Sequence, residues 1–419
     1  MNIEHLNSWN PWWSTKEVPA ILKGILRPMH SIIHKSLHEK EIIVLTGVRR
    51  SGKSTLMYQM IASLLEKYNP SQLLYINLDD EALKGETLES IYACYRGEKN
   101  PREFSFVFLD EIQNIDNWEK FVKKYYDLKE KVKFIVSGSS AGLLKGDYAS
   151  LLTGRNLTFT IFPLSFKEYI GFSHVNYTEQ SATVKAQIMY HLNTYLEYGG
   201  FPEVYFKEEE LKILLLKQYF DDVIYKDIVK RYNVNAKKIT ELAVYLLTNS
   251  GNFFSMRKIR SLTGLSFDSI KDYISYLEEA HIAIVVDSLS YSLKERSQLP
   301  KKSYSLDSGL RNSVCFRFSG DRGRLAENCV CIELLRRGKE IYYWKGKGEV
   351  DFVVKEKDNS LVALNVSYAD EMQSRELRSL AEFRQTFKKV KKCIIITRDF
   401  EDNKEGILFI PLWKWLLSE

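Results

Sequence analysis

The stretch Gly47-Val48-Arg49-Arg50-Ser51-Gly52-Lys53-Ser54 decides the fold of this chain. It satisfies the pattern G-x-x-x-x-G-K-[ST] at every fixed position. The β-branched run 41–46 precedes it, and the helix-like run 55–61 follows it. In that setting the backbone N–H groups of the loop and the N-terminus of the helix form a cradle for an anion. The stretch therefore predicts a phosphate-binding loop rather than a plain glycine-rich turn.

The residues of this loop have predicted roles toward two cofactors, ATP and Mg²⁺. Lys53 is expected to reach the β- and γ-phosphates, and the Ser54 hydroxyl is expected to ligate Mg²⁺. We expect the nucleotide-binding residues to be Gly47, Arg49, Arg50, Ser51, Gly52, Lys53, Ser54 and Thr55.

A second motif lies downstream, where four apolar residues, 106–109, are followed by Asp110 and Glu111. The apolar run predicts a strand buried between layers of helices. The two carboxylates then emerge at the carboxyl end of the sheet, where open α/β sheets bind their ligands. Asp110 is expected to hold Mg²⁺ through water, and Glu111 to polarise the attacking water as a general base. The alternative for such a pair is a solvated strand end.

The next predicted strand ends in three serines, Ser137, Ser139 and Ser140. A polar side chain at this tip, next to Asp110, can contact the γ-phosphate or the attacking water. Ser137 is the candidate for this role and Ser139 is the alternative. A helix N-cap is the plain interpretation of Ser139 and Ser140.

Arg155 stands just before the fifth predicted strand. A guanidinium at this place can reach the γ-phosphate of a neighbouring subunit and stabilise the charge of a phosphoryl-transfer transition state. A surface ion pair is the alternative for Arg155. Asp79 and Asp80 end the second predicted strand, and a cap or loop role is expected for them ahead of a contact with the water around Mg²⁺.

Composition bounds the class of protein. A chain of 419 residues is too long for one core, so two to four domains are expected. The formal net charge of +6 permits a polyanionic partner without requiring one. The five cysteines are scattered and odd in number, which indicates neither a disulfide framework nor a metal site. With no apolar run of about 18 residues and no basic start before an apolar block, we expect no membrane partner, no secretory signal and a cytoplasmic location.

Five strand-like runs alternate with helical runs in the first half of the chain, which predicts a parallel sheet with crossovers. Ahead of them lies a segment with adjacent tryptophans, Trp12 and Trp13, and an amphipathic helix over 21–37. The tryptophans are expected to fill a hydrophobic groove. Contact with a nucleotide base is the alternative for the tryptophans. The expected strands are 42–46, 73–77, 104–109, 132–137 and 157–162.

Long helical runs follow, over 184–198 and 211–232, separated by the break Gly199-Gly200-Phe201-Pro202. Residues 236–306 then read as helix, turn, helix and hairpin, which is the order of a winged helix. A generic helical connector is the alternative. The remaining residues predict a second α/β unit, in which a helix over 325–337 precedes strands 340–344, 350–355 and 362–367, a helix 374–387 and a strand 392–397.

Several of these motifs resemble one family, the prokaryotic AAA+ ATPases that carry a C-terminal restriction-endonuclease-like domain. The motifs are Gly47–Ser54, Asp110–Asn114, Val136–Ala141, Pro163–Phe166, Tyr198–Glu203 and Leu325–Asn328. The resemblance implies an α/β fold with a P-loop AAA+ sheet and a helical lid, then a winged helix, then a nuclease-like α/β domain. It gives boundaries at 1–40 for the leader, 41–163 for the ATPase core, 164–235 for the lid, 236–306 for the winged helix and 307–419 for the last domain.

The nuclease-like segment departs from the pattern of that family. Asp351 resembles the central acid and Glu327 the accessory acid of a metal-dependent nuclease. Where the family has E-x-K or Q-x-K, this chain has Asn365 and Ser367. Because a charged ligand and the lysine are both missing, metal-assisted cleavage lacks essential parts. We expect this domain to bind DNA or a partner without cutting.

The leading hypothesis is an ATP-hydrolysing protein that binds and remodels DNA, with branched DNA among its candidate substrates. It is expected to act as a ring-shaped homo-oligomer, with a hexamer as the expected form. The alternatives are a nucleotide-dependent switch that acts on protein partners and an ATP-dependent nuclease. Basic side chains suited to sequence-independent phosphate contact are Arg257, Lys258, Arg260, Lys294, Arg296, Lys301, Lys302, Arg322, Arg324, Arg336, Arg337, Lys345, Lys347, Lys388, Lys389, Lys391 and Lys392.

Overall fold

The protein divides into two compact units, residues 1–162 (unit 1) and 163–419 (unit 2). The structure, a computed structural model, describes residues 3–100, 102–139, 152–179, 181–290, 292–316, 322–369 and 374–418. Ser140 and Ala141, at the end of the predicted serine motif, lie outside the described residues.

Unit 1 is built on a five-stranded parallel sheet, as the alternation of strand-like and helical runs predicts. The strand order is β2-β3-β4-β1-β5, so β1, which leads into the phosphate-binding loop, lies between β4 and β5. Every residue of β1 and β3 is buried, which fits strands covered on both faces. The strands are β1 (Ile42–Thr46), β2 (Leu73–Asn77), β3 (Ser105–Asp110), β4 (Val132–Ser137) and β5 (Asn156–Thr160).

The helices of unit 1 lie before the sheet and between its strands. They are α1 (Glu4–Trp9), α2 (Trp12–Thr15), α3 (Ala20–Lys23), α4 (Pro28–Lys35), α5 (Lys53–Leu64), α6 (Leu88–Glu98) and α7 (Trp118–Asp127). The predicted single helix over 21–37 is wrong. Gly24, at φ +53°, ends α3, and Pro28 starts α4 at its first position, so the chain turns between them.

The leader covers the free edge of β2. The Asn10 side chain donates to Tyr75 O (2.8 Å) and accepts from Tyr75 N (2.7 Å). The indole nitrogens of Trp12 and Trp13 donate to Leu73 O at 3.0 and 2.9 Å. An unpaired strand edge is a template for pairing with another chain. These side chains take the place of a neighbouring strand. The tryptophans therefore pack in a groove of the protein, and their indole N–H groups are already bonded to the backbone.

Unit 2 begins with helices. They are α8 (Phe166–Phe172), α9 (Ala182–Tyr198), α10 (Pro202–Tyr205) and α11 (Glu209–Asp222), and α11 continues through a π-helical segment (Val223–Val229) and a last turn (Lys230–Tyr232). The Gly-Gly break after α9 is held by Asp307, whose Oδ2 accepts from Gly200 N at 2.7 Å. A Cβ on Gly199 would lie 1.9 Å from Asp307 Oδ1, so the glycine is needed for this close approach.

A three-stranded antiparallel sheet follows, with the order β6-β8-β7. Its strands are β6 (Phe253–Phe254), β7 (Ala283–Val286) and β8 (Lys301–Ser305). Its helices are α12 (Ala236–Thr248), α13 (Met256–Thr263), α14 (Phe267–Glu279) and α15 (Leu293–Gln298). The order helix, turn, helix and hairpin predicted over 236–306 matches α12 to α14 followed by β7 and β8, but α15, between these two strands, is not predicted.

The last part of unit 2 is a six-stranded mixed sheet with the order β13-β14-β12-β11-β10-β9. β9, β10 and β11 pair antiparallel, whereas β11, β12 and β14 pair parallel. The sequence reading misses β13, β14, α16 and α19. The elements are α16 (Ser308–Val314), α17 (Arg322–Arg336), β9 (Glu340–Lys345), β10 (Glu349–Lys355), β11 (Leu361–Ser367), α18 (Ser374–Thr386), β12 (Val390–Thr397), β13 (Asp402–Lys404), β14 (Ile407–Pro411) and α19 (Leu412–Leu417).

Candidate functional site

The site lies at the carboxyl ends of the strands of the parallel sheet. The predicted phosphate loop, the acidic pair and the serine meet there. The loop follows the end of β1, Asp110 ends β3 and Ser137 ends β4. The register pairs Leu45 with Ser137 and Leu109 with Val136, so these strand ends are neighbours. The carboxyl edge of a parallel sheet is where α/β proteins bind their ligands.

The backbone of the loop takes conformations that favour glycine. Gly47 has φ +142° and Gly52 has φ +96°. A Cβ on Gly47 would lie 2.2 Å from Ile161 O, so no other residue fits without moving the loop or the segment after β5. Arg50, at φ +66°, is a non-glycine residue in the left-handed region. Such residues occur mostly where the surrounding structure imposes them, often at functional sites.

Lys53 is buried within the loop that precedes it. Its Nζ donates to Gly47 O (3.0 Å) and Val48 O (3.1 Å), and its side chain is 4% exposed. The ammonium therefore lies inside the cradle, where a phosphate group could replace the two carbonyl oxygens. Ser54 and Thr55 lie half-buried in the first turn of α5, beside Lys53.

The leader supports the loop from behind. Arg27 Nη1 donates to Ser51 O at 2.8 Å, and its Nη2 donates to Phe162 O at 3.1 Å. Ser51 itself is fully buried, and its Oγ has no hydrogen-bond partner among the described residues. Arg49 is half-buried and Arg50 is exposed. Arg27 thus ties the middle of the loop to the end of β5.

Asp110 is a buried carboxylate with three donors around it. Tyr75 OH donates to Oδ2 at 2.6 Å, and Glu111 N donates to Oδ1 at 3.2 Å. Ser137 Oγ also donates to Oδ1. The side chain of Asp110 is 2% exposed. Burial first, and then the charge of Asp110, raise the pKa of Tyr75 far above its usual value, so the hydroxyl remains a donor.

The side chains after Asp110 are fixed by local contacts. Glu111 has φ +52°, and its Oε2 accepts from Gln113 Nε2 at 2.5 Å. Asp80 caps a 3-10 turn by accepting from Ala82 N at 2.9 Å, and Asp79 Oδ1 accepts from Asn114 Nδ2 at 3.0 Å. The two aspartates therefore have the cap and loop roles that the sequence favours.

The structure separates the two candidate serines. Ser137 Oγ contacts Asp110 and also lies 3.4 Å from Glu111 N. Ser139 is buried two residues further along the chain, where the structure describes no such bond to Asp110. Of the two, Ser137 is the one that joins the acidic pair.

Arg155 lies at the amino ends of the parallel strands, whereas the loop lies at their carboxyl ends. Its carbonyl accepts from Ile42 N at 2.8 Å, at the start of β1, whereas the loop follows the end of that strand. Five strand residues span roughly 16 Å. The guanidinium Nε lies 3.0 Å from Asp127 Oδ1, and the group packs over the Tyr126 ring. Arg155 is therefore placed away from the loop of its own chain.

In unit 2, the predicted nuclease acids do come together. Glu327 on α17, with Glu349 and Asp351 on β10, surrounds the Nζ of Lys302 at 3.1, 2.6 and 3.3 Å. The side chain of Lys302 is 1% exposed. Asn365 is buried nearby and accepts from Asp351 N at 3.2 Å. We call Glu327, Glu349, Asp351 and Lys302 the carboxylate cluster.

Several basic residues expected to contact phosphate have partners within the protein. Arg336 and Arg337 pair with Glu333 at 2.6 and 2.9 Å. Lys301 pairs with Asp287 at 2.8 Å. Arg296 donates to Ser290 O at 3.0 Å, and Lys302 is buried in the carboxylate cluster. The exposed members are Arg257, Lys258, Arg260, Lys294, Arg322, Lys345, Lys347, Lys388, Lys389, Lys391 and Lys392.

Sequence reasoning assigned none of four residues that shape these sites to the role that the structure gives them. Tyr75 and Arg27 contact the site through long-range packing, and Lys302 enters its cluster from a different sheet. Gln113 follows the acidic pair by two residues, and only its position in that motif could have marked it. Within the described residues, no group of three or more histidine, cysteine or acidic side chains is arranged to hold a metal, and no helix is long and apolar enough to cross a membrane.

Three family models match successive parts of this chain. An AAA domain family matches residues 39–170. Two domains of unknown function match the rest, DUF8612 over 189–321 and DUF4143 over 322–415. A solved structure, the Walker-type ATPase PABY2304 of Pyrococcus abyssi, is similar with a TM-score of 0.45 at 14% identity, covering 69% of this chain and 95% of that one.

Two curated proteins match over nearly the full length. The uncharacterized protein MJ1544 of Methanocaldococcus jannaschii is 33% identical over 408 residues, covering 92% of this chain and 90% of that one. An uncharacterized protein of Haemophilus influenzae is 31% identical over 389 residues, covering 90% and 94%. This chain therefore belongs to the same family as these two proteins, and its residues 39–170 form an AAA domain of the P-loop ATPase class.

Proposed function

We propose that the AAA domain binds ATP with Mg²⁺ and hydrolyses it at the edge formed by the loop, Asp110 and Ser137. The observation that carries this proposal is the buried Asp110 carboxylate, which three donors fix at the strand end beside the loop. A carboxylate in that place is costly to bury unless it has partners or a cation. The AAA domain match supports the class of reaction.

The roles of the side chains follow from their positions. Lys53 would exchange the carbonyls of Gly47 and Val48 for phosphate oxygens when nucleotide enters. Ser54 and Asp110 offer the oxygen ligands that Mg²⁺ prefers, directly or through water. Mg²⁺ would neutralise charge on the phosphates.

Glu111 is the candidate base for the attacking water, and Ser137 fixes the neighbouring Asp110. Gln113 holds Glu111 at 2.5 Å, so Glu111 must leave or share that bond to act on water. The remaining loop residues, Arg49, Arg50, Gly52 and Thr55, complete the proposed nucleotide contacts.

We further propose that unit 2 contacts DNA without reading its sequence. The order of α12 to α14 and the three-stranded sheet resembles a winged helix, and the last sheet resembles a nuclease fold. On α13, Arg257, Lys258 and Arg260 are exposed. The helix expected to read bases, α14, has one lysine, Lys271, which pairs with Asp268 at 3.2 Å. Phosphate contacts alone give affinity without sequence preference.

Arg155 supports a ring-shaped homo-oligomer, proposed as a hexamer, in which one subunit completes the site of the next. Its place at the amino ends of the strands, away from the loop of its own chain, favours action on a neighbouring subunit over action in cis. Presented to a neighbour, it would stabilise the transition-state charge.

The direct test of hydrolysis is ATP turnover by the full chain and two variants. Lys53→Ala is expected to lose nucleotide binding and turnover together. Glu111→Gln is expected to keep nucleotide binding and lose turnover by at least about 100-fold, since general-base catalysis contributes on that scale. Unchanged turnover in Glu111→Gln would show that Glu111 is not the base. Unchanged nucleotide binding in Lys53→Ala would show that the loop is not the nucleotide site.

The DNA proposal is tested by the effect of DNA on turnover. Single-stranded, double-stranded and branched DNA are expected to raise it. The triple variant Arg257→Glu, Lys258→Glu, Arg260→Glu is expected to lose this response while basal turnover persists. A matched triple charge reversal at the exposed residues Lys207, Lys217 and Lys237, which are not candidate phosphate contacts, tests whether net charge alone matters. No response to any DNA, with turnover intact, would instead favour the switch that acts on protein partners.

A further inference from the structure

The carboxylate cluster of unit 2 has the acids of a metal site but a lysine at its centre. Nζ of Lys302 lies 2.6 to 3.3 Å from one oxygen of each of Glu349, Glu327 and Asp351. An ammonium has three N–H donors, so three carboxylates use all of them. The cation therefore has its full set of partners within the protein.

The fold of the strand explains how Lys302 reaches this place. β8 is the central strand of its sheet, with Lys302 paired to Phe253 on one side and Val286 on the other. Residues two apart on a strand share a face. Tyr304 accordingly points the same way, and its hydroxyl donates to the same Glu327 oxygen at 2.7 Å. Two side chains of one strand thus hold the accessory acid.

Polar atoms of Asp351 and Asn365 beside the cluster also have partners. Asp351 Oδ2 accepts from Val366 N at 2.9 Å. Asn365 stands where nuclease domains of this type have a charged ligand. Its Oδ1 accepts from Asp351 N, and its Nδ2 donates to Glu376 Oε2 at 2.5 Å. Asn365 is fully buried, so it serves the scaffold and offers no oxygen to a metal.

Electrostatics keeps the lysine charged in this environment. Burial alone would lower the pKa of Lys302, but Asp351, Glu327 and Glu349 outweigh it and raise the pKa above its usual value. Burial, followed by the charge of Asp351, raises the pKa of Glu327. A divalent ion within about 4 Å of this ammonium would meet strong repulsion. The residues present therefore do not fit the metal that a nuclease fold implies.

We propose that Lys302 is a tethered cation that takes the place of a divalent metal in the carboxylate cluster and closes the cluster to metal ions. Glu327, Glu349 and Asp351 are then structural in the native chain. Removing the ammonium, while keeping an apolar stem of similar length, opens an oxygen-lined site of the kind that Mg²⁺ and Mn²⁺ occupy.

Mn²⁺ binding to the nucleotide-free full chain, followed by electron paramagnetic resonance of free Mn²⁺, tests this proposal. Four variants are compared with the native chain: Asp351→Asn, Lys302→Met, Lys302→Met with Asp351→Asn, and Lys302→Arg. Lys302→Met is expected to gain one site, at least about tenfold tighter than any site of the native chain. The double variant is expected to lose that gain, and Lys302→Arg to stay closed.

The comparison of the native chain with Asp351→Asn decides the matter even if Lys302→Met does not fold. Equal Mn²⁺ binding by these two proteins supports the closed cluster. A site in the native chain that Asp351→Asn removes would overturn the proposal, because the cluster would then accept metal beside the lysine. A folded Lys302→Met variant without an added site would also overturn it. None of these outcomes depends on ATP hydrolysis, which concerns unit 1.

Discussion

The Tyr75 hydroxyl donates a 2.6 Å hydrogen bond to Asp110 Oδ2, joining β2 to the acidic end of β3. In the parallel register Tyr75 pairs with Phe108 and Asn77 pairs with Asp110, so the hydroxyl reaches a residue two positions beyond its partner on β3. Asp110 is 2% exposed, so the hydrogen bond from the Tyr75 hydroxyl offsets much of the cost of burying its carboxylate. Tyr75 is thus a positioning residue for the carboxylate proposed to hold Mg²⁺.

Tyr75→Phe is expected to lower ATP turnover and the apparent affinity for Mg²⁺ by about 10- to 100-fold, the range for removal of a partner that orients a metal ligand. The loss of a bond to a buried carboxylate is also expected to cost about 1.5–3 kcal/mol of unfolding free energy. Turnover as a function of Mg²⁺ concentration, with urea unfolding in parallel, measures both effects.

Tyr58→Phe is the matched control. The Tyr58 hydroxyl bonds to Tyr75, and burial raises its pKa to about 12. Its removal leaves the bond from Tyr75 to Asp110 in place, so the Mg²⁺ dependence should match that of the native chain. An equal shift in both variants would mean that packing, not orientation of Asp110, is responsible.

Gly47→Ala tests the close approach at the loop. The added Cβ would lie 2.2 Å from Ile161 O, and φ +142° is unfavourable for alanine. We expect a loss of at least about 2 kcal/mol in stability and loss of nucleotide binding, since backbone strain combines with a clash. Isothermal titration with ATP and thermal unfolding measure the two effects.

Gly97→Ala is the control for that substitution. Gly97 lies within α6, where an added Cβ meets no heavy atom within 4 Å. Alanine in a helix is favoured over glycine by about 0.5–1 kcal/mol, so this variant should be slightly more stable and bind ATP normally. Normal nucleotide binding by Gly47→Ala would contradict the requirement for glycine in the loop.

Asn10→Ala tests the cover on the edge of β2. Asn10 is 1% exposed and satisfies both backbone groups of Tyr75. Leaving those groups unpaired should cost about 1–3 kcal/mol and expose a strand edge to pairing between chains. Urea unfolding and light scattering report the two consequences. Asn7→Ala, at an exposed position of α1, three residues before Asn10, should change stability by less than about 0.5 kcal/mol.

The parts of the fold that were predictable are those with a local cause. The strands β1, β2 and β4 match their predicted bounds because each is a short apolar run flanked by polar residues. The loop and the acidic pair lie close together because each follows the carboxyl end of a strand, and these ends are on the same side of a parallel sheet. The helix predicted over 21–37 fails because its apolar spacing continues across Gly24 and Pro28, which interrupt the backbone.

The contacts that complete the sites depend on long-range packing. Ser367 shows that the lysine is missing from β11, but no pattern in that strand indicates that Lys302 supplies a cation from β8. Ser137 and Ser139 are equivalent by position until the pairing of β3 with β4 sets which hydroxyl meets Asp110. Sequence spacing therefore identifies the acids but not the donors that hold them.

Lys133 should make the stability of unit 1 depend on pH. Its buried Nζ donates to Ser36 O at 3.0 Å and Glu39 O at 2.6 Å, and burial lowers its pKa from 10.5 to about 8. Between these values the unfolded chain binds more protons than the folded chain. The contribution of Lys133 to the free energy of unfolding should therefore rise with pH from about 8 toward 10, by at most about 1.4 kcal/mol per pH unit.

Urea unfolding at pH 7.5, 8.5 and 9.5 measures this rise, and Lys133→Met should remove it. Lys131, exposed near the start of the same strand, gives the control Lys131→Met, which should keep the pH dependence of the native chain. Cysteines and tyrosines whose pKa is raised by burial, such as Cys94 and Tyr95, oppose this rise, because in the unfolded chain they lose protons within or near this pH range. The rise is therefore measured as the stability of the native chain minus that of Lys133→Met. A difference that stays level or falls from pH 7.5 to 9.5 would contradict the role of Lys133.

Arg155 tests the proposed assembly. Its guanidinium pairs with Asp127 at 3.0 Å in the isolated chain, an exposed pair that contributes little stability. If a neighbouring subunit uses Arg155, then Arg155→Ala should keep ATP binding and lose turnover by about 10³-fold. Asp127→Ala, which removes the competing partner, should leave turnover intact or raise it.

Mixing two inactive variants separates action between subunits from action within one. Lys53→Ala lacks a working nucleotide site but keeps Arg155, whereas Arg155→Ala keeps the site but lacks the arginine. At an interface between them, the Lys53→Ala subunit supplies the arginine to the intact site of its neighbour, so the mixture should recover part of the turnover. Turnover of the native chain should also rise more steeply than its concentration. A mixture as inactive as its components, with native turnover proportional to concentration, would show that Arg155 serves only its ion pair with Asp127.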